Sequence, residues 1–279
     1  LMLPIMLGAS ISQLSLLLDS IIASFLPLDG SVSWLWYADR LMEFPLGIFS
    51  IAIATVILPN LASHFASNDG ERFTETLDWA LRLVLLLGMP AALGLFLLAG
   101  PMVSTLFQHA AFTARDVSMT AWALGAYAFG FLGFSFVKIL IPGFYARQQT
   151  GTPLRLGMIA FGIGMVLSIS ITLILLHLDF VAPHAGIAAS TATAAWINAA
   201  LLFLRLRRDG AYRPAAGWPR YLLQIGIASL AMSLFLIVMA GPLASWTEAP
   251  ALNRILRLAG LVGGGALIYL TVLVACGLR

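Results

Sequence analysis

The 279-residue chain is 61% hydrophobic and only 10% charged, far below the ~25% charged residues of soluble domains, which excludes a water-surrounded globular fold. Its net charge of +3, spread over scattered basic residues, excludes a nucleic-acid-binding face. The lone cysteine, Cys276, excludes an intrachain disulfide and any C-x-x-C metal or redox motif.

A membrane-spanning helix needs about 20 mostly apolar residues. Eight segments meet this, at 3–27, 31–60, 79–107, 117–142, 154–178, 184–206, 220–242 and 251–277. The first is preceded by no basic n-region and followed by no A-x-A site, so it reads as a span and not as a signal peptide. A chain starting with Leu1 inside an apolar helix is expected to be a fragment of something longer. This helix carries Asp19 in "LSLLLDSIIASF". The second contains "WYADRLMEFP", residues 36–45, where Asp39, Arg40 and Glu43 interrupt an otherwise uncharged run. The third is preceded by "ERFTETLDWALRL", expected to be an interfacial amphipathic lead-in. The fourth and fifth contain "FGFLGF" and "FGIGM", small-residue contacts that let helices approach closely. The fourth also carries Lys138 in "FSFVKILIPGFY". The sixth runs into the longest and most basic loop, 205–220, which separates a final pair of helices and is expected to mark the module boundary.

The connections, such as "PLDGS", "SNDGE" and "RQQTGTP", are short and built of turn residues. The fold expected is an all-α membrane bundle. Alternate crossing puts ten arginines (72, 82, 147, 155, 205, 207, 208, 213, 220, 279) on one side and three (115, 254, 257) on the other. The first side is therefore cytoplasmic. Pro45, Pro59, Pro90, Pro101 and Pro142 free backbone carbonyls that neighbouring helices or cavity water have to satisfy.

Arg40 and Lys138 belong to neither surface. Arg40 lies some ten residues into its helix, roughly 14 Å deep at ~1.5 Å per residue and near the middle of a ~30 Å core. A charge there costs about 2.5–3.5 kcal/mol on insertion scales, so Arg40 should face protein or hydrated cavity. Spacing puts Glu43 on a face shared with Asp39 and Arg40. Two readings follow: an internal Arg40–Glu43 ion pair, or an arginine lining a cavity, whose planar fork suits phosphate. Lys138 either snorkels towards Pro142 and the cytoplasmic surface or faces the same cavity. Asp19 could hold an ion or a proton, or pair with a cation on the next helix. His64, His109, His177 and His184 fall at helix ends or loops. Trp34, Trp36, Trp196, Trp218 and Trp246 mostly fit an aromatic belt. No H-E-x-x-H, G-x-S-x-G or paired-aspartate transferase motif is present, which points away from an enzyme.

"SVSWLWYADRLMEFPLGIFSIAIATVILPNLASHFAS" resembles the eighth helix of the MurJ/MviN lipid II flippases, a branch of the MOP exporter superfamily. "VKILIPGFYARQQTGTP" resembles the turn between that family's tenth and eleventh helices, and "LDWALRL" and "LFQHAAFTARD" are similar as well. The resemblance implies that the eight helices correspond to helices seven to fourteen of a fourteen-helix protein of the bacterial inner membrane. Residues 1–208 would be a six-helix C-lobe. Residues 209–279 would be the basic loop and two extra helices lining a groove for the lipid tail. The N-terminal lobe would be missing. The implied activity is transfer of lipid II, an undecaprenyl-pyrophosphate-linked precursor, to the periplasmic leaflet by alternating access, with no enzymatic step.

Arg40 matches the family's essential arginine, and Asp39, Glu43 and Lys138 would share the substrate cavity with it. Asp19 matches an acid of the sodium site that some members carry, implying coupling to sodium or to the membrane potential. The helix at 154–178 departs from that site in offering Ser168 and Ser170 but no Asn or Asp. The alternatives are an exporter of another lipid-linked glycan, a drug or cation exporter of the same superfamily, and a non-transporting scaffold. A drug exporter would want acids in the cavity, and a scaffold would have no use for clustered charges.

Overall fold

A computed structural model describes the backbone of residues 2–277 and, outside 2–12 and 49–54, their side chains; Arg279 lies outside the described residues. The chain is all helical. Its elements are α1 (Met2–Ser24), α2 (Ser31–Ala66), α3 (Gly70–Leu97), α4 (Ala99–Phe107), α5 (Ala114–Ala146), α6 (Gly151–His177), α7 (Ala185–Arg208), α8 (Trp218–Ala240), the short α9 (Ala244–Thr247) and α10 (Ala251–Ala275). Six of these, α3, α5, α6, α7, α8 and α10, are long and apolar enough among the described residues to cross a membrane.

The span expected at 79–107 is two helices. The chain breaks at Leu98, which ends α3 and begins α4. Pro101 lies in the first turn of α4, where a missing amide hydrogen is tolerated. The stretch expected to lie at the interface is the first part of α3 itself. Phe73 and Leu77 are buried in a core with Ile57, Leu61, Ile139, Phe144 and Leu206. Their apolar face is wide enough to pack inside the bundle.

α5 is the central helix, packed against α2, α3, α4 and α7. Its glycines set the spacing to α7. A Cβ at Gly130 would stand 2.6 Å from Ala192, and one at Gly133 would stand 2.9 Å from the Trp196 amide nitrogen. The start of α5 is fixed by a capping box between Thr113 and Asp116, of the kind that satisfies two free helix-end donors at once. Trp34 of α2 donates to the same Asp116 at 2.8 Å. His184, expected at the interface, is fully buried and donates from Nε2 to the Met119 carbonyl at 2.9 Å. Of the tryptophans expected in a belt, Trp246 is likewise hydrogen-bonded within the protein to the Ala240 carbonyl and Trp196 to the Phe129 carbonyl, while Trp36 is exposed.

The loop between α7 and α8 is fastened by a single buried carboxylate. Asp78 Oδ1 accepts from Tyr212 Oη at 2.7 Å, Trp218 Nε1 at 2.8 Å and the Ala215 amide at 3.2 Å. Its Oδ2 accepts from Arg82 Nε at 2.7 Å. Arg82 lies over the rings of Trp218 and Tyr221 and donates to the Ala216 carbonyl. Burial and the adjacent Asp78 push the Tyr212 hydroxyl well above its ordinary pKa, so it remains a donor. α8 and α10 thus share a core with α3 and α5, including Leu85, Leu98, Leu132, Met232, Trp246 and Tyr269. At the far end of α10, Arg254 donates to the Ser104 carbonyl and to Gln108 Oε1. Arg257 lies 4.3 Å above the Trp246 ring.

Asp78→Ala would orphan the buried Tyr212 hydroxyl and strip the Trp218 indole, the Ala215 amide and Arg82 of their shared acceptor, and should cost about 3 kcal/mol. The expected signs are a lower thermal midpoint and new protease cleavage within 209–217. Unchanged cleavage of that loop would contradict the assignment.

Candidate functional site

The intramembrane charges converge on one side of the bundle, where α1, α2 and α5 meet. Asp39 acts electrostatically on Asp19, and Glu43 acts on both Asp39 and Lys138. Tyr127 of α5, which the sequence reading did not single out, is buried and within electrostatic reach of Asp19 and Asp39. Arg40 Nη1 donates to Glu43 Oε2 at 3.0 Å, with side-chain exposures of 57% and 47%. Its guanidinium also lies 5.3 Å from the centre of the Trp36 ring. The ion pair read from the spacing is therefore present, but it is open. Exposed pairs of this kind contribute about 0.2–1 kcal/mol, enough to orient the guanidinium and too little to withhold it from an anion. Asp39 is half-buried and makes no hydrogen bond among the described residues. Lys138 is exposed.

Arg40 has a second set of neighbours. It lines an apolar groove of about 800 Å³ with Phe44 and Pro45 of α2, Leu86 and Pro90 of α3, and Tyr269 of α10. The volume is that of a ligand pocket. Along α3 the groove runs from Leu86 to Leu98, about 18 Å at ~1.5 Å per residue. Among the described residues lining it, Arg40 is the only charged one.

Asp19 is buried, and its Oδ2 accepts from Thr191 Oγ1 at 3.0 Å. Its observed partner is thus on α7 and not on the 154–178 helix. Oδ1 of Asp19 has no hydrogen-bond partner among the described residues, nor do the buried hydroxyls of Ser168 and Thr172 on α6, which packs against both α1 and α7. Ser170 is exposed and does not join them. The signal for Thr191 was a cluster of hydroxyls, "STATAA", in an otherwise apolar helix.

A family model described as lipid II flippase MurJ matches residues 1–254. The chain belongs to the MurJ family. Among curated MurJ relatives, the Vibrio cholerae protein named "Probable lipid II flippase MurJ" is 41% identical over 279 residues, 100% of this chain and 52% of its own length. The lipid II flippase MurJ of Burkholderia cenocepacia is 40% identical over 232 residues, 83% of this chain and 43% of its own length. The chain spans about half the length of the curated relatives it matches. A solved structure of lipid II flippase MurJ in an inward closed conformation superposes with a TM-score of 0.70 at 26% identity, covering 95% of this chain and 51% of that one. An outward-facing multidrug MATE transporter of the MOP superfamily superposes with a TM-score of 0.59 at 18% identity, covering 98% and 62%; that likeness shows the fold alone.

The buried and open polar contacts of this MurJ-family site should respond differently to substitution. Thr191→Val removes the one hydrogen bond seen at buried Asp19 and should lower stability by about 1–3 kcal/mol. Glu43→Gln should change it by less than about 1 kcal/mol. Thermal midpoints in one detergent check this, and a larger loss for Glu43→Gln would contradict the exposed-pair description.

Proposed function

We propose that this chain forms the C-terminal lobe of a lipid II flippase of the bacterial inner membrane, together with the two helices appended to it. In this reading the chain crosses the membrane eight times. Residues 1–208 supply one wall of the transport cavity, and 209–279 supply the groove for the lipid tail. The observation that carries the reading is the double position of Arg40. One side chain belongs both to an open charge cluster and to the wall of an apolar groove. That is the arrangement an anionic head joined to a long hydrocarbon tail requires. The guanidinium would grip the pyrophosphate with two parallel hydrogen bonds, displacing Glu43 from a weak pair. Asp39 and Glu43 would set its orientation, and Lys138 would add positive charge from α5.

Alternating access needs a second lobe closing on the opposite side of a midplane site. We assign that wall to an N-terminal lobe meeting the face that bears Asp19, Asp39, Arg40 and Glu43. A drug or cation exporter of the same superfamily is disfavoured by the arginine at the groove mouth, which would repel a cationic substrate.

The coupling reading rests on Asp19. One carboxylate with an unpartnered buried oxygen, together with a threonine hydroxyl, offers oxygen donors carrying a single negative charge. That suits a hard monovalent cation such as sodium. Asp19 and Thr191 would hold it, and the ion would supply a charge that balances the acid. The membrane potential is the other driver this reading admits.

Arg40→Lys, introduced at the chromosomal locus, should fail to support growth at normal protein levels, because a point charge does not reproduce the bidentate fork. Normal growth with Arg40→Ala would refute the role. Replacing choline chloride by sodium chloride should raise the thermal midpoint saturably, and Asp19→Asn should abolish the effect. An equal response to sodium, potassium and choline would remove sodium from the account.

A further inference from the structure

Pro90 lies inside α3. It has no amide hydrogen, so the carbonyl four residues earlier, that of Leu86, loses its intrahelical donor. In surroundings without water, such a carbonyl has to find another partner. The Tyr269 hydroxyl of α10 donates to it at 2.7 Å, and the tyrosine is buried. One turn earlier on α3, Tyr221 of α8 donates to the Arg82 carbonyl at 2.6 Å. The two bonds are not equivalent. Position 86 is a leucine with an N–H, so the Arg82 carbonyl has a helical donor and Tyr221 adds a second. The Leu86 carbonyl has no helical donor in reserve. Leu86, Pro90 and Tyr269 all line the apolar groove that Arg40 enters.

We propose that Tyr269 is a positioning residue of this groove. Its hydroxyl satisfies the carbonyl that Pro90 leaves open. That bond holds α10 against α3 and presents a hydrocarbon chain with a wall free of any bare carbonyl. The second part rests on the reading of the groove as the tail site; the docking of α10 on α3 does not. The pair also explains how a proline is accommodated in the middle of a helix that forms the groove's long wall: the neighbouring helix supplies the missing donor.

Compensation tests this more sharply than loss. The protein is reconstituted in nanodiscs in a Cys276→Ser background as wild type, Tyr269→Phe, Tyr221→Phe, Pro90→Ala and the Pro90→Ala/Tyr269→Phe double variant. Two readouts are taken. One is the α3–α10 distance between spin labels on cysteines introduced at the exposed positions Trp79 and Leu267. The other is labelling of the groove by a photoactivatable polyprenyl phosphate. Tyr269→Phe should lengthen and broaden the distance and weaken probe binding roughly tenfold. Tyr221→Phe should leave both close to wild type, and Pro90→Ala should leave the distance close to wild type. The double variant should recover the distance and label as well as Pro90→Ala alone, because replacing the proline returns an N–H to the Leu86 carbonyl, an outcome that a merely space-filling tyrosine would not produce. A Tyr269→Phe variant indistinguishable from wild type, or a double variant no better than Tyr269→Phe alone, would overturn the proposal. Distances that follow the expected pattern without labelling of the wild-type groove would support the docking bond and overturn the tail reading.

Discussion

Hydrocarbon offers no hydrogen bonds, so every polar group carried into the apolar helices of this chain has to be met by protein or by a hydrated cleft. The structure divides its polar groups by how that demand is met. Asp78 is saturated by Tyr212, Trp218, Ala215 and Arg82. Arg254 is occupied by Ser104 and Gln108, and the Leu86 carbonyl is occupied by Tyr269. These closed contacts build the bundle and fasten α8 and α10 to it. Asp39, Arg40, Glu43 and Lys138 are different. They sit together on one face, exposed or half-buried, with one weak pair among them. This contrast between closed and open charges separates the candidate site from the architecture.

The same division explains what the sequence made legible. A charge in an uncharged run of twenty residues stands out with no knowledge of its neighbours, so Asp19, Arg40, Glu43 and Lys138 could be singled out directly. Close packing at Gly130 and Gly133 was legible for a similar reason, because only small residues permit it. Asp78 was read as part of an interfacial stretch because its partners other than Arg82 lie more than 130 residues away and carry no charge. His184 has a helix-end position in sequence, yet folding buries it under Trp34, 5.0 Å between ring centres. The break at Leu98 was hidden because the apolar run continues through it; only "AGP" at 99–101 signalled a fresh helix start. Thr191 was missed because a hydroxyl in a membrane helix ordinarily bonds its own backbone, as Thr193 does to Ala189.

Two features of the groove belong together. Its long wall is α3 and the start of α4, and its outer side is α10, tied at one end by Arg254 and further along by Tyr269. Its only charged lining residue among those described is Arg40. The groove and the charge cluster are thus joined by one side chain. In the proposed function, a substrate gripped at the head would thereby be guided at the tail, which is the physical problem of moving an amphiphile whose two halves prefer different solvents.

The most direct test of this account is a comparison of three ligands in nanodiscs: a polyprenyl pyrophosphate, the corresponding polyprenol without a head, and inorganic pyrophosphate. The account predicts that polyprenyl pyrophosphate binds far more tightly than either of the others. It also predicts that Arg40→Ala brings polyprenyl pyrophosphate down to the affinity of the polyprenol while leaving the polyprenol unchanged. Equal loss for both lipids, or no loss for either, would contradict the claim that Arg40 joins a head site to a tail site.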